Sequence, residues 1–262
     1  MLVFQAAFTQ QFSDMSSLIN FAQTGRNHGL SVGDFNNDGH DDIYVSRREG
    51  KNKLFVNQGD FDFVEMSSEY GIDYEGDTNC SLWWDYDNDG DLDLYLGNKF
   101  ENTVLYRNDG DVFTDVTEEN NASTYGNLRS LNAADIDNDG DLDLYIAFAA
   151  RQNVLLLNEG DDGFSDVLEE RGIDDKGSSM GAVFMDYNQD GWIDLYQTRD
   201  GNQGNLLYLN TGDGFFEDKS EESRAGLKGM GMGVDVGYIN DDEWPDLYVT
   251  NLYENFLLLN NG

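Results

Sequence analysis

An all-β fold built from one repeated four-stranded unit is what this sequence predicts, on three observations. A nine-residue acidic pattern starts at residues 34, 85, 135 and 186, a spacing of 50 or 51. Each copy runs into a short β-branched and aromatic stretch. Each period then repeats the same further apolar runs in the same order, and a fixed period is the mark of a repeat architecture.

The elements of one period follow in order. The first is an apolar run ahead of the acidic loop: Leu30 to Val32, Leu82 to Trp84, Leu131 to Ala134, Val183 to Met185 and Val234 to Val236. The loop itself reads Asp34-Phe35-Asn36-Asn37-Asp38-Gly39-His40-Asp41-Asp42, and returns over residues 85–93, 135–143 and 186–194. The second run carries a repeated tyrosine: Tyr44, Tyr95, Tyr145 and Tyr196. Such stretches are strand formers. The third run ends in asparagine, at Asn57, Asn108, Asn158, Asn210 and Asn260. A Gly/Asp turn then leads to the fourth run, opened by Phe63, Phe113, Phe164 and Phe216. Short turns are expected at 118–120 and 169–171.

Four short antiparallel strands in about 50 residues make one blade of a β-propeller. A fifth period at 238–248 keeps Asn240, Asp242 and Asp246 but has Tyr238 and Glu243 where the others have Asp and Gly. The chain ends after the third run of that period, while Phe12-Ser13-Asp14-Met15-Ser16-Ser17 near the start matches a fourth run. The expected fold is therefore a single β-propeller domain over 1–262: five blades of four-stranded antiparallel sheet, the N-terminal strand closing the last blade. A closed ring leaves no open sheet edge between first and last blades.

Carboxylates or amides at loop positions 1, 3, 5 and 9, with glycine at 6, suit a hard cation that wants several oxygens. The glycine lets the backbone turn sharply inside the loop. An EF-hand needs a bidentate Glu at position 12, but Val45, Leu96, Ile146 and Gln197 stand there. The Asp at position 9 must close the cage instead. Turn chemistry alone explains one such loop; four copies with the same ligand positions favour calcium, about four ions, with the fifth site weak or absent.

Composition narrows the partners. Lys plus Arg is 15 and Asp plus Glu is 52, a net charge of −37. That excludes nucleic acid and anionic membrane surfaces as expected partners. With 39% hydrophobic and 13% aromatic residues the chain can bury a core. One cysteine, Cys80, rules out an internal disulfide. Calcium loops can staple a fold in its place, and calcium is plentiful outside cells, so an extracellular, cell-surface or periplasmic location is expected. No apolar run approaches the ~20 residues that span a membrane, and Met1 to Gln5 lacks the basic start of a signal peptide. The signal was removed, or this is a piece of a longer protein.

These residues resemble the FG-GAP/VCBS repeat family, whose blade type also builds the propellers of integrin α-chains. The resemblance covers essentially the whole chain. It implies calcium in the loop between first and second strands. Carried over, Asp34, Asn36, Asp38 and Asp42 give side-chain ligands and His40 its backbone carbonyl. The same roles fall to Asp85, Asp87, Asp89, Asp91 and Asp93; to Asp135, Asp137, Asp139, Asp141 and Asp143; and to Asp186, Asn188, Asp190, Trp192 and Asp194. The family usually has seven blades, which leaves a five-bladed ring or a fragment as the alternatives.

If the first strands line a channel, His28, Asn79, Arg129, Met180 and Met232 hold matched positions around one opening, which is either a second site for a small polar ligand or a solvated rim. Trp83 and Trp84 are candidates for a sugar-stacking platform or for packing between blades. No nucleophile signature such as Gly-x-Ser-x-Gly is present. The expected function is a non-catalytic, monomeric adhesion or ligand-binding module for a protein or glycan. A lectin with inter-blade pockets, an enzyme at the channel mouth and a passive scaffold are the alternatives.

Overall fold

The computed structural model describes residues 13–14 and 25–262. Within them the chain is all-β, with a single 3-10 turn at Gly160–Asp162. The first sheet is a meander of β1 (Asn27–Gly33), β2 (Asp42–Arg47), β3 (Lys53–Asn57) and β4 (Phe63–Glu65). The second is β5 (Thr78–Trp84), β6 (Asp93–Asn102), β7 (Val104–Asn108) and β8 (Phe113–Asp115). The third is β9 (Tyr125–Ala134), β10 (Asp143–Ala149), β11 (Val154–Asn158) and β12 (Phe164–Asp166). The fourth is β13 (Ser179–Met185), β14 (Asp194–Arg199), β15 (Leu206–Asn210) and β16 (Phe216–Asp218). The fifth has β17 (Gly231–Gly237), β18 (Asp246–Asn251) and β19 (Phe256–Leu258), three strands among the described residues. The closing strand expected at 12–17 lies outside the described residues apart from Ser13 and Asp14, which form no strand.

The expectation of separate sheets needs one correction. β6 and β9 are both extended to 10 residues and pair antiparallel, Lys99 with Asn127 and Asn102 with Tyr125. The second and third units therefore share one sheet. The run that continues past the second strand, Gly97 to Asn102, provides the extra ladder.

The core lies between neighbouring units. Successive first strands pack in series: β1 on β5, β5 on β9, β9 on β13, β13 on β17. The repeated Tyr44, Tyr95, Tyr145 and Tyr196 are wholly buried there. Burying a tyrosine requires a partner for its hydroxyl. Tyr44, Tyr95 and Tyr196 donate to the carbonyls of Ile72, Ala122 and Ala225 at 2.8, 2.6 and 3.0 Å. Tyr145 instead donates to Gln197 Oε1 at 2.6 Å.

Trp83 and Trp84 belong to this core, so of their two sequence readings the structure favours packing between units over a sugar platform. They are 8% and 3% exposed. Trp83 stacks on Phe35 at 5.6 Å, and Trp84 on Phe164 at 5.7 Å. They are neighbours on one strand, so their side chains leave on opposite faces. Each fills the space towards a different adjacent unit. The fifth unit differs: Tyr248, the repeat's tyrosine there, is 43% exposed, and Leu257 is 51% exposed.

Candidate metal centre

Each first strand ends where its acidic loop begins, so all the loops lie at one end of the sheets. The backbone inside them is closely repeated. Position 4 takes the left-handed conformation in every copy, with φ of 55° at Asn37, 58° at Asn88, 59° at Asn138 and 58° at Gln189. The position-6 glycine follows with φ between 86° and 100°. That region costs a side chain energy and glycine little. Glu243 stands there in the fifth loop and does not adopt it, so that loop departs in geometry as well as in ligands.

The carboxylate at position 1 organises the turn. Asp34 accepts from the amides of Asp38 and Gly39 at 3.0 and 2.8 Å. Asp135 does the same with Asp139 and Gly140 at 3.2 and 3.0 Å, and Asp186 with Asp190 and Gly191 at 3.1 and 2.9 Å. The fifth loop has Tyr238 there and no such clamp.

Asp85, Asp87 and Asp89 each place a carboxylate oxygen within 4.8 Å of the others, and so do Asp135, Asp137 and Asp143. Asp85 Oδ1 and Asp137 Oδ1 are buried with no hydrogen-bond partner. A buried carboxylate oxygen left unpaired is costly, and a cation is a natural partner for it. The donor set is all oxygen, on a loop that converges several anions, which fits a hard divalent cation. Position 7 would offer a backbone carbonyl only, and its side chains vary: His40, Asp91, Asp141 and Trp192.

The position-9 aspartates do more than the sequence reading assigned them. Asp93 Oδ1 accepts from the Asn108 amide at 2.8 Å and Oδ2 from the Tyr86 amide at 3.1 Å. Asp143 accepts from Asn158 and Ile136, and Asp194 from Asn210 and Tyr187, all between 2.8 and 2.9 Å. One side chain thus ties loop, second strand and third strand together. Burial pushes Asp42 up to about 6, and Asp93, Asp143 and Asp194 up to about 7, with neighbouring loop carboxylates adding to the rise and the amide bonds opposing it. Burial likewise raises Asp87 and Asp137.

The third-strand asparagine completes the centre, a role the sequence reading missed although the residue recurs in every period. Asn108 Nδ2 donates to the Phe35 carbonyl in the preceding unit's loop at 2.9 Å. Asn158, Asn210 and Asn260 reach Tyr86, Ile136 and Tyr187 in the same way, each at 2.7 Å. Side chains at position 4 link loops directly: Asn37 donates to Asp91 at 2.7 Å and Asn88 to Asp141 at 2.6 Å.

At the opposite end, each matched residue of the expected mouth occupies a β-bulge. His28, Asn79, Arg129, Met180 and Met232 are the positions skipped where the first strand's register shifts against the second. The His28 ring lies 3.3 Å from the Asn79 carbonyl, and Asn79 Nδ2 donates to the Leu128 carbonyl at 2.6 Å. The structure thus brings His28, Asn79 and the Arg129 strand together.

The pattern of the loops agrees with a family model. Residues 85–146 and 186–249 match the FG-GAP-like repeat. The chain carries FG-GAP-like repeats. A 72-residue stretch is 36% identical to cartilage acidic protein 1 of Xenopus tropicalis, covering 27% of this chain and 11% of that protein. Among solved structures, the FG-GAP-like chain is similar to an Agrocybe aegerita lectin specific for non-reducing terminal N-acetylglucosamine. That likeness has a TM-score of 0.55 and 19% identity over 90% of this chain and 63% of the lectin. The V. cholerae biofilm matrix protein Bap1 is similar with a TM-score of 0.53 and 17% identity, over 86% of this chain and 35% of Bap1. The chain thus spans less than two thirds of each of these proteins. The shared property is the fold.

Proposed function

We propose that this chain is a non-catalytic β-propeller that binds calcium in four loops and presents a ligand-binding surface outside the cell. The observation that carries the calcium reading is the convergence of loop carboxylates with buried, unpaired oxygens at Asp85 and Asp137. Asp34, Asn36, Asp38 and Asp42, with their counterparts in the next three loops, would hold the ions. Bound calcium supplies positive charge that relieves the repulsion among these groups. The chain's own residues then keep the loop closed: position 1 holds the turn, position 9 joins two strands, and the asparagine joins the next unit. The role we assign is structural, since the residues that would hold each ion all come from one loop. The lectin and the matrix protein of similar fold support a glycan or protein as ligand.

Calorimetric titration of chelator-treated protein, with melting curves and a glycan array run in calcium and in chelator, tests this reading. About four ions at Kd of order 10⁻⁴ to 10⁻³ M are expected. At about 1 mM calcium these add roughly 2–6 kcal/mol, a melting shift on the order of 10 °C. No shift would remove the calcium reading; a blank array would direct the search to protein ligands.

The five-bladed ring belongs to the same proposal. A cavity of about 770 Å³ beside β19 is lined by Tyr187, Leu207, Leu257 and Leu259, among others. In the second to fourth sheets, the phenylalanine that opens the fourth strand is buried. In the first, second and fourth sheets a Ser or Thr just after that strand accepts the amide of the third-strand Leu: Ser67 from Leu54, Thr117 from Leu105, Ser220 from Leu207. Phe12 and Ser16 hold those two positions in the N-terminal copy of the motif. Phe12→Ala should therefore lower the melting temperature by several degrees, as loss of a buried Phe costs about 3–5 kcal/mol. An unchanged melting curve would sink the closure.

A further inference from the structure

The rim opposite the metal loops carries a patch that breaks the repeat. Basic residues gather at this end: Arg48, Lys51, Arg151 and Arg199 sit at or beside strand ends, Lys99 in the last part of β6 and Arg129 at the bulge within β9. Arg48 and Lys51 are paired with Asp77 and Asp73. Arg199 is tied to the Gly204 carbonyl. Lys99, Arg129 and Arg151 have no carboxylate in ion-pair range among the described residues, in a chain with 52 acidic residues against 15 basic ones. All three stand at the β6–β9 junction. Lys99 pairs in register with Asn127, two residues before Arg129. Arg151 donates to the Tyr125 carbonyl and lies on the Phe148 ring, 4.6 Å from its centre.

Two aromatic rings stand in solvent at the same junction. Phe100 is 58% exposed and Tyr125 55%. Phe100 sits at a bulge, between Lys99 and Glu101, with φ of 58°. A bulky non-glycine residue there is strained, and such strain collects at functional sites. Below it, Arg129 also bulges, with its Nε buried and without an acceptor; Asn79 Oδ1 and Asn127 Oδ1 are likewise unpaired. Bulges re-aim side chains and are frequent beside binding sites. No other pair of units is joined by a ladder among the described residues.

We propose that this junction binds an acidic sugar chain, with Arg129, Lys99 and Arg151 taking its carboxylates and Phe100 and Tyr125 stacking on its rings. The inference rests on the reading of the chain as a ligand-binding module and names that ligand's class. Guanidinium groups hold carboxylates bidentately, and exposed aromatic faces suit the C–H faces of pyranose rings. An acidic peptide fits less well, because the backbone edges of β6 and β9 are already paired with each other and cannot accept an added strand. A polyphosphate chain is repelled by the net charge of −37. At the junction itself, Lys99, Arg129 and Arg151 stand beside one acid, Glu101, which accepts from the Tyr74 hydroxyl at 3.1 Å, so the local balance is positive and can attract a sparser anion.

The test is calorimetric titration of the full chain in calcium with tetragalacturonate, its methyl ester and hexaglutamate. The acid should bind and the ester should bind about tenfold or more weakly, the scale of losing a charge-assisted pair. Arg129→Gln with Lys99→Gln should cost about tenfold in affinity with an unchanged melting temperature. Phe100→Gly relieves the backbone strain, so it should fold at least as stably while binding several-fold more weakly. Equal binding of acid and ester, preference for hexaglutamate, or undiminished affinity in both folded variants would overturn the site. A chain that ignores tetragalacturonate but binds another glycan on the array keeps the ligand-binding reading and loses this one. A chain that binds nothing loses both.

Discussion

At the loop end of the sheets four units repeat one set of side chains; at the opposite rim the residue at the equivalent bulge changes from unit to unit, with methionine alone used twice. The loops repeat one set of φ angles and one clamp from position 1 or 9 to the same amides. The rim offers His28, Asn79, Arg129, Met180 and Met232 at one equivalent bulge. The backbone event is constant at both ends, and only the side chains diverge at the rim. A scaffold asks the same chemistry of every unit, whereas a ligand breaks the symmetry. Sites that vary on a constant frame are where binding is found.

The comparison can be broken most severely at position 9. Asp143→Ala removes acceptors from two buried amides, those of Ile136 and Asn158, and a metal-facing oxygen. Each orphaned amide costs about 1–3 kcal/mol, so a melting loss on the order of 10 °C is expected by calorimetry. Asp246→Ala, in the fifth unit, whose loop lacks the position-1 carboxylate, should lose clearly less. Equal losses would show that the loops do not gain their strength from packing between units.

A smaller effect sharpens the same contrast through pH. In the fold, Asp93, Asp143 and Asp194 keep their protons up to about 7, whereas an unfolded Asp releases its proton near 4. Between those values the folded chain binds more protons, so metal-free stability should fall as pH rises from about 4 to about 7. Calcium replaces the protons, so the decline should vanish in excess calcium and calcium affinity should weaken below pH about 7. Denaturant melts at both limits check this. A metal-free stability that rises over the same range would contradict the burial of these groups.

The units and loops were legible because their signals are local. Asp and Gly at fixed loop positions dictate a turn, and the Asp-Leu-Tyr runs dictate a strand, whatever surrounds them. Position 9 was read as an Asp at the strand entrance that closes the cage, but its bonds to Asn108 or Asn158 depend on where the third strand returns. Trp83 and Trp84 were ambiguous for the same reason: an aromatic ahead of a loop reads alike whether it faces a sugar or a neighbouring sheet. The β6–β9 ladder had no sequence signal of its own, since Gly97 to Asn102 reads as a loop. Only the close approach of two units turns it into strand.

The third-strand asparagines also make each joint between units a fastener. Asn158 grips the carbonyl of Tyr86, and that residue's amide is gripped in turn by Asp93. A pull that separates two sheets is therefore carried straight into a loop of carboxylates. With a cation in that loop the joint is riveted; without one the same load opens a ring of mutually repelling charges. The resistance of such a chain to shear on a surface would then be set by the divalent ions in the fluid around it.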